Sequence, residues 1–302
     1  VCDAPFAGDG AVSALHRGKR RVTAVTTITR GGVTARARCH IGAEQADVRA
    51  ARRLLQRSFY RAAVQLLGEL PPWGALAGVR PTKLATAALL QGKTARETDR
   101  MLRTEFFVTA PRRQMCVEAA EHTLAAMQEL APRDLSVYIG IPFCPTRCAY
   151  CSFVSQSIEK FGGLLEPYLD VLLREIAYTG KKLSQSGWHI RTLYMGGGTP
   201  TTLSSPQMER LLRAIRAHFD LSRCLEFTVE GGRPDTLDAE KLAVIKQGGA
   251  TRISINPQTM SDDVLRAIGR RHTAGQTLEA FRLARAAGFE DINMDLIAGL
   301  PC

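Results

Sequence analysis

Three cysteines lie within eight residues, Cys144, Cys148 and Cys151, in the spacing C-x3-C-x2-C. The apolar run 135–141 directly before them predicts a buried strand, which Pro142 ends. Three explanations are open for such a triplet: a disulfide, a zinc site or an iron–sulfur cluster. A disulfide leaves one thiol over, and a zinc site usually needs a second C-x2-C pair, which the chain lacks.

A [4Fe–4S] cluster takes four thiolates in most proteins. Three thiolates leave one iron with open coordination, so a ligand from outside the protein can bind to it. The triplet therefore favours an iron–sulfur site, with a chance clustering of thiols as the alternative. The remaining cysteines are isolated in sequence and are interpreted as ordinary thiols: Cys2, Cys39, Cys116, Cys224 and Cys302.

The elements that must position these thiols alternate between strand and helix. The pattern predicts strands at 135–141, 191–195, 225–230, 251–255 and 291–297. Helices are predicted between them, at 162–185, 204–218, 238–248, 261–269 and 275–287. Five successive units of this kind predict an α/β fold with a parallel sheet, closed into a barrel or partial barrel. Residues 132–302 are predicted to form this domain, truncated after its fifth strand.

Polar or glycine-rich residues follow each predicted strand, at the end where parallel α/β folds gather their reactive groups. Gly197, Gly198 and Thr199 follow the second strand, and the absence of Cβ atoms lets the backbone approach a ligand closely. An ordinary turn is the alternative for this tract. Glu230 and Asp295 end the third and fifth strands, where a carboxylate either binds a ligand or pairs with an internal arginine.

Four further side chains suit the same cavity. Gln258 follows the fourth strand and can hydrogen-bond a ligand without a charge, and Arg270 can clamp a carboxylate bidentately. Tyr150, directly before the last cysteine, is suited to border a flat ring such as adenine. Tyr138 is expected to point from the first strand toward the same pocket. Either tyrosine is equally well explained as a core aromatic.

Residues 1–131 are predicted to form a smaller, mostly helical α+β domain. Its predicted elements are a hairpin of 22–29 and 33–39, and helices at 43–70, from Pro81 onward, at 95–107 and at 112–130. Residues 1–130 carry 20 Lys and Arg against 11 Asp and Glu, most of the net charge of +11. This charge indicates either binding of an anion or a solvated, arginine-rich helical surface.

The chain lacks an apolar run of about 18 residues and therefore predicts no membrane span. Its first residues lack the charged and apolar regions of a secretory signal. With thiols clustered for a metal, these features lead us to expect a reducing, cytoplasmic location.

With these residues in view, the chain from about residue 72 onward resembles the radical S-adenosylmethionine (SAM) family of oxygen-independent coproporphyrinogen III oxidases. Within that family it is similar to the coproporphyrinogen dehydrogenase subgroup. The strings that carry the resemblance are GIPFCPTRCAYCSF at 140–153, YMGGGTPT at 194–201, VEGGRPD at 229–235, ISINPQ at 253–258, IGRRHT at 268–273 and NMDLIAGLP at 293–301.

The resemblance implies a TIM-like radical SAM barrel in which Cys144, Cys148 and Cys151 bind a [4Fe–4S] cluster. It implies a tyrosine at the cluster, Tyr138, and a SAM site formed by Gly197, Gly198, Thr199, Glu230, Gln258, Arg270 and Asp295. The reaction implied is oxidative decarboxylation of coproporphyrinogen III in haem biosynthesis, driven by a radical generated from SAM. An electron donor such as flavodoxin or ferredoxin would reduce the cluster.

Three departures bear on that assignment. The oxidase pattern has a fourth cysteine two residues after the third, where this chain has Phe153, as do relatives that serve as haem chaperones. The front domain is not the short arm of the oxidase, so the resemblance implies no role for its basic surface, and the sequence is expected to be an incomplete fragment. The alternative function is therefore a haem chaperone or haem-binding protein without oxidase activity. RNA modification is a third class of function, and only the charge of the front domain supports it. Nucleic acid is therefore not the expected partner.

Overall fold

The structure is a computed structural model that describes residues 8–76, 80–153 and 155–300. The chain divides into two compact units, residues 1–129 and 130–302. Two of the isolated cysteines, Cys2 and Cys302, lie outside the described residues, as does part of the segment leading into the helix predicted from Pro81. No helix in the described ranges has both the length and the apolar content that crossing a bilayer requires.

The first unit opens with an antiparallel sheet of three strands: β1 (Gly10–Arg17), β2 (Arg21–Arg30) and β3 (Val33–Gly42). The predicted hairpin is present as β2 and β3, whereas β1 was missed because its sequence alternates only weakly. Helix α1 (Val48–Leu67) packs on β2 and β3 through Leu54.

Three helices complete this unit: α2 (Thr82–Leu90), α3 (Ala95–Phe106) and α4 (Ala110–Gln128). They share a small apolar core in which Leu102 and Cys116 are fully buried. Helix α3 begins with a capping box: the Thr94 hydroxyl accepts the Glu97 N–H, and the Glu97 carboxylate accepts the Thr94 N–H. The unit is therefore α+β and mostly helical, as predicted.

The second unit is built on a five-stranded, wholly parallel sheet. Its strands are β4 (Asp134–Ile141), β7 (His189–Gly197), β8 (Glu226–Glu230), β9 (Arg252–Ser254) and β10 (Asp291–Asn293). They are neighbours in the order of the chain, β4-β7-β8-β9-β10, so each crossover leads to the adjacent strand. This is the topology of a partial barrel, and it confirms the predicted fold class.

A short parallel pair, β5 (Phe143–Cys144) and β6 (Gln156–Ser157), carries the first cysteine of the triplet. The connecting helices are α5 (Ile158–Phe161), α6 (Leu165–Ser186), α7 (Ser205–His218), α8 (Ala239–Gln247), α9 (Asp262–Ala267) and α10 (Ala274–Ala286). The helix predicted at 162–185 is present as α6, which begins three residues later, after a 3₁₀ turn at Gly162–Leu164; the short helix α5 before it was not predicted.

The core of this unit lies between the sheet and its helices. Leu193 and Val229 from the sheet meet Leu169, Leu211 and Ile245 from the helices, each nearly or fully buried. Burying such a side chain stabilises the fold by roughly 1.5–3 kcal/mol. The helices therefore hold the sheet rigidly, and its strand ends are free to carry a site.

The fifth strand was predicted at 291–297 but ends at Asn293. Beyond it, the chain pairs with the segment after β9: the Gln258 N–H donates to the Asp295 carbonyl, and the Ile297 N–H donates to the Gln258 carbonyl. The backbone of Asp295 is thereby tied to Gln258 instead of continuing the strand.

Candidate active site

The loops that follow β4 and β7 are joined by backbone hydrogen bonds. The Gly198 N–H donates to the Ile141 carbonyl at 2.8 Å, and the Thr199 N–H donates to the Phe143 carbonyl at 2.7 Å. Because β4 and β7 are parallel neighbours in register, with Ile141 opposite Gly197, the glycine tract lies directly beside the first cysteine.

Two of the glycines leave no room for a side chain. A Cβ on Gly198 would come within 2.6 Å of the Phe143 carbonyl oxygen and 3.0 Å of the Cys144 Sγ. Gly197 has φ +110°, a left-handed conformation that other residues rarely adopt. The backbone of this tract therefore lies very close to the thiols, and a simple turn would not require such closeness.

All three clustered cysteines are free thiols and line one cavity of about 350 Å³. Cys144 and Cys148 are buried and Cys151 is half-buried. Among the described residues no three His, Cys, Asp or Glu side chains form a group that could hold a single metal ion. A cubane cluster attaches each thiolate to a different iron, so its three protein ligands do not need to converge on one point.

A buried guanidinium group contacts this thiol loop. Arg233, only 2% exposed, donates from Nη2 to the Cys148 Sγ at 3.1 Å and from Nη1 to the Thr146 hydroxyl at 2.7 Å. Its Nη2 also donates to the Thr146 carbonyl at 2.5 Å. The loop between the first two cysteines is therefore anchored by a positive charge.

The carboxylate of Glu230, at the end of β8, faces the cavity. It accepts a hydrogen bond of 2.5 Å from the Tyr194 hydroxyl, on the neighbouring strand. Burial raises the pKa of Glu230, and the Asp295 carboxylate raises it further, although the Tyr194 hydroxyl opposes both. Burial, together with the bond to Glu230, likewise raises the pKa of Tyr194.

Gln258 is one of two described non-glycine residues with positive φ, at +67°. It is buried, and the surrounding structure holds it in this strained conformation through its backbone bonds to 295–297. Asp295, exposed on the opposite segment, also lines the cavity. Neither Asp295 nor Glu230 forms an ion pair with an arginine within the described ranges, so internal pairing is not their role.

Arg270 brings a second buried guanidinium to the cavity. Its Nη1 donates to the Asn256 carbonyl at 2.5 Å, and its Nε is buried without a hydrogen-bond partner. Tyr150 lies beside it, and burial raises the pKa of this tyrosine while the Arg270 charge lowers it. An unpartnered N–H in a cavity of this kind is available to an anionic ligand.

The structure brings nearly all the predicted site residues to this one cavity. Its lining includes Cys144, Cys148, Tyr150, Cys151, Gly197, Gly198, Thr199, Glu230, Gln258, Arg270 and Asp295. Tyr138 is not part of the lining: it is 62% exposed and stacks on Tyr194, with ring centroids 5.9 Å apart. Tyr194, one strand over, is the tyrosine that contacts Glu230.

Sequence reasoning missed Arg233 and Tyr194 as site residues. Arg233 follows a pair of glycines at the carboxyl end of β8, and that glycine pair was the available signal. Tyr194 lies inside a strand, two residues before the first glycine, Gly196, and nothing in the local pattern distinguishes it from a core aromatic. Phe153, which was singled out for its position after the triplet, also lines the cavity and is 69% exposed.

Residues 138–301 match the sequence profile of the Radical SAM superfamily. This match begins within β4, continues through β10 and covers every predicted site residue. It includes both the cysteine loop and the segment that pairs with Gln258.

The chain is 40% identical over 232 residues to an oxygen-independent coproporphyrinogen-III oxidase-like protein, HemZ, of Bacillus subtilis, covering 76% of this chain and 46% of the relative. It is 41% identical over 170 residues to the heme chaperone HemW of the same organism, covering 55% and 43%. The fold is similar to that of coproporphyrinogen III oxidase (HemN) from Escherichia coli, a radical SAM enzyme, with a TM-score of 0.51. The two sequences are 30% identical, and the match covers 60% of this chain and 41% of the oxidase. The chain spans less than half the length of these relatives.

Proposed function

The chain belongs to the Radical SAM superfamily, and on this premise we propose that it is an oxidoreductase acting on a porphyrinogen of haem biosynthesis. Members of this superfamily use a [4Fe–4S] cluster and SAM. The observation that supports the proposal is the cavity itself, in which three free thiols, a glycine tract and a buried guanidinium group with an unpartnered N–H meet.

The donor set fits the cluster and SAM. Cys144, Cys148 and Cys151 would hold the cluster by three irons, and the fourth would be left for the amino and carboxylate groups of SAM. The SAM site would be formed by the backbone of the glycine tract together with the side chains already described: Thr199, Glu230, Gln258, Arg270 and Asp295. When bound, the cluster and SAM supply a radical able to remove a hydrogen atom from an unactivated carbon.

The residues of the chain bind and orient the cofactors and exclude water. The unpartnered Nε of Arg270 can donate to the SAM carboxylate, and Glu230, held by Tyr194, can accept from an ammonium group or a ribose hydroxyl. Tyr150 would border the adenine. Tyr138 stacks on Tyr194, which contacts Glu230, so Tyr138 would act on the site only through Tyr194.

The first candidate reaction is oxygen-independent oxidative decarboxylation of coproporphyrinogen III. Two observations support it: the relative named oxidase-like and the structural similarity to the coproporphyrinogen III oxidase. In that reaction a propionate side chain loses a hydrogen atom to the SAM-derived radical, then carbon dioxide and one electron, which an external electron acceptor takes up, and it becomes a vinyl group. A one-electron donor such as flavodoxin or ferredoxin is part of this proposal, as is a reducing, cytoplasmic location.

The second candidate is a haem chaperone or haem-binding protein. Phe153 favours it, because this apolar, exposed side chain lines the cavity where the oxidase pattern has a fourth cysteine. The similarity to heme chaperones supports the same candidate.

Anaerobic reconstitution with iron and sulfide, followed by incubation with coproporphyrinogen III, SAM and dithionite, separates the two. Formation of protoporphyrinogen and 5′-deoxyadenosine supports the oxidase; tight haem binding without carbon dioxide release supports the chaperone. Cys148→Ser should lose the cluster absorbance and its iron, whereas Cys224→Ser, a half-buried thiol outside the cavity, should retain both. Equal iron in the two variants would contradict the cluster assignment.

A further inference from the structure

Two guanidinium groups are buried at the thiol cavity without a counter-charge. Arg233 is 2% exposed and Arg270 is 7% exposed. Among the described residues neither forms an ion pair with a carboxylate; their partners include carbonyl groups, the Thr146 hydroxyl, one sulfur and, for Arg270, the Tyr150 hydroxyl. A buried cation without an opposite charge is costly, so this arrangement is suited to an anion that the cavity receives.

The two cations face different parts of the cavity. Arg270 contacts the carbonyls of Asn256 and Gly232 and leaves its Nε free. Arg233 contacts the thiol loop alone, and its Nη2 lies 3.1 Å from the Cys148 Sγ. A neutral thiol is a weak acceptor, whereas a thiolate bound to iron carries negative charge and accepts strongly.

We propose that Arg233 is a positioning residue that donates a charge-assisted hydrogen bond to the cluster-bound thiolate of Cys148 and raises the reduction potential of the cluster. This inference rests on the proposed cluster site. Reduction adds one electron, supplied by an external one-electron reductant, and therefore adds one negative charge next to the guanidinium. Both the hydrogen bond to sulfur and the nearby positive charge stabilise the reduced form more than the oxidised form.

The fork of the guanidinium explains why arginine suits this position. Nη1 reaches the Thr146 hydroxyl while Nη2 reaches both the Thr146 carbonyl and the Cys148 sulfur, so one planar group spans the loop. Thr146 in turn donates to the Gly269 carbonyl at 3.3 Å. A lysine ammonium keeps the charge but cannot present the same planar fork.

The test compares the reduction potentials of the reconstituted clusters by titration with dithionite and mediators, followed by electron paramagnetic resonance. The two neutral variants are Arg233→Gln and Arg233→Met. The methionine side chain brings no donor group of its own that would need a hydrogen-bond partner in this buried place. Both should bind iron and shift the potential to lower values, and Arg233→Lys should shift it less. Lys241→Gln is the matched control, because Lys241 is also buried and its ammonium group donates to the carbonyls of Thr201 and Thr236 and to no sulfur.

Each outcome decides the matter. Neutral variants that bind iron as the wild type does, with an unchanged potential, would overturn the proposal. So would a shift equally large in Lys241→Gln, since the effect would then not depend on contact with sulfur. If both neutral variants fail to fold as apoproteins by circular dichroism while Arg233→Lys folds, Arg233 is a structural residue and the proposal fails. If the wild type takes up no cluster, the proposed function itself fails, and the two failures remain distinguishable.

Discussion

Replacing Gly198 by alanine should displace the first cluster cysteine. The added Cβ would meet the carbonyl oxygens of Phe143 at 2.6 Å and Ile141 at 3.0 Å, and the Cys144 Sγ at 3.0 Å. The two carbonyls cannot give way easily, because they accept the N–H groups of Gly198 and Thr199. Either the glycine tract moves away from the cysteine loop or the Cys144 side chain leaves its rotamer.

Overpacking of this kind costs about 1–3 kcal/mol. For a unit of this size, each kcal/mol lowers the unfolding temperature by roughly 2–4 °C, so the apoprotein of Gly198→Ala should melt about 2–12 °C below the wild type. Iron incorporated on reconstitution should also fall, because the three thiolates no longer share the geometry that a cubane requires. Thermal unfolding by circular dichroism and iron analysis measure the two effects separately.

Two control variants sharpen the result. Gly163→Ala adds a Cβ that meets nothing within 4 Å and should match the wild type in both measurements. Gly180→Ala places a Cβ against the backbone carbonyl of His218, away from the cavity, so it should lower the melting temperature and leave the iron content of the folded protein unchanged. If Gly198→Ala has the same melting temperature as Gly163→Ala and binds as much iron as the wild type, the close approach of backbone and thiol is refuted.

Three further predictions concern stability. Burial, aided by the Arg270 charge, lowers the pKa of His272 to about 4, so the unfolded state alone takes up its proton between about pH 6.5 and 4. The free energy of unfolding should therefore fall by up to about 3 kcal/mol as the pH drops through that window. Urea titrations at pH 6.5 and pH 4 measure this fall, which should be smaller in His272→Gln than in the wild type. Thr94→Ala removes the capping box of α3 and should lower the free energy of unfolding, measured by thermal unfolding, by about 1 kcal/mol. The control Thr104→Ala, at an exposed position inside the same helix, should lower it less. Equal losses in the two variants would argue against the cap. Tyr194→Phe removes the hydroxyl that donates to the Glu230 carboxylate and should cost about 1–3 kcal/mol at pH 7. The loss should shrink as the pH falls toward the raised pKa of Glu230, since protonation removes the charge of the carboxylate; a loss independent of pH would contradict this.

The parallel sheet and the gathering of the site could be read from the sequence. Carboxyl ends of parallel strands share one edge, so a cysteine loop, a glycine tract and Glu230 that each follow a strand had to lie near one another. Boundaries were less accurate where local signals conflict. The last strand ends at Asn293 because Asp295 bonds to Gln258, and that contact joins segments far apart in the chain.

Side-chain contacts were decided only by the tertiary structure. Tyr138 and Tyr194 are opposite each other on neighbouring strands, and the sequence offers no way to tell which hydroxyl reaches Glu230. Arg233 and Cys148 are 85 residues apart, and only the folding of β8 beside the sheet's other strands brings the guanidinium to the sulfur. The sequence determined the thiols, the glycine tract and the edge where they meet, because residue spacing and strand periodicity are local. The charge next to the thiols was decided by the fold, because a contact between distant segments depends on how the whole sheet packs.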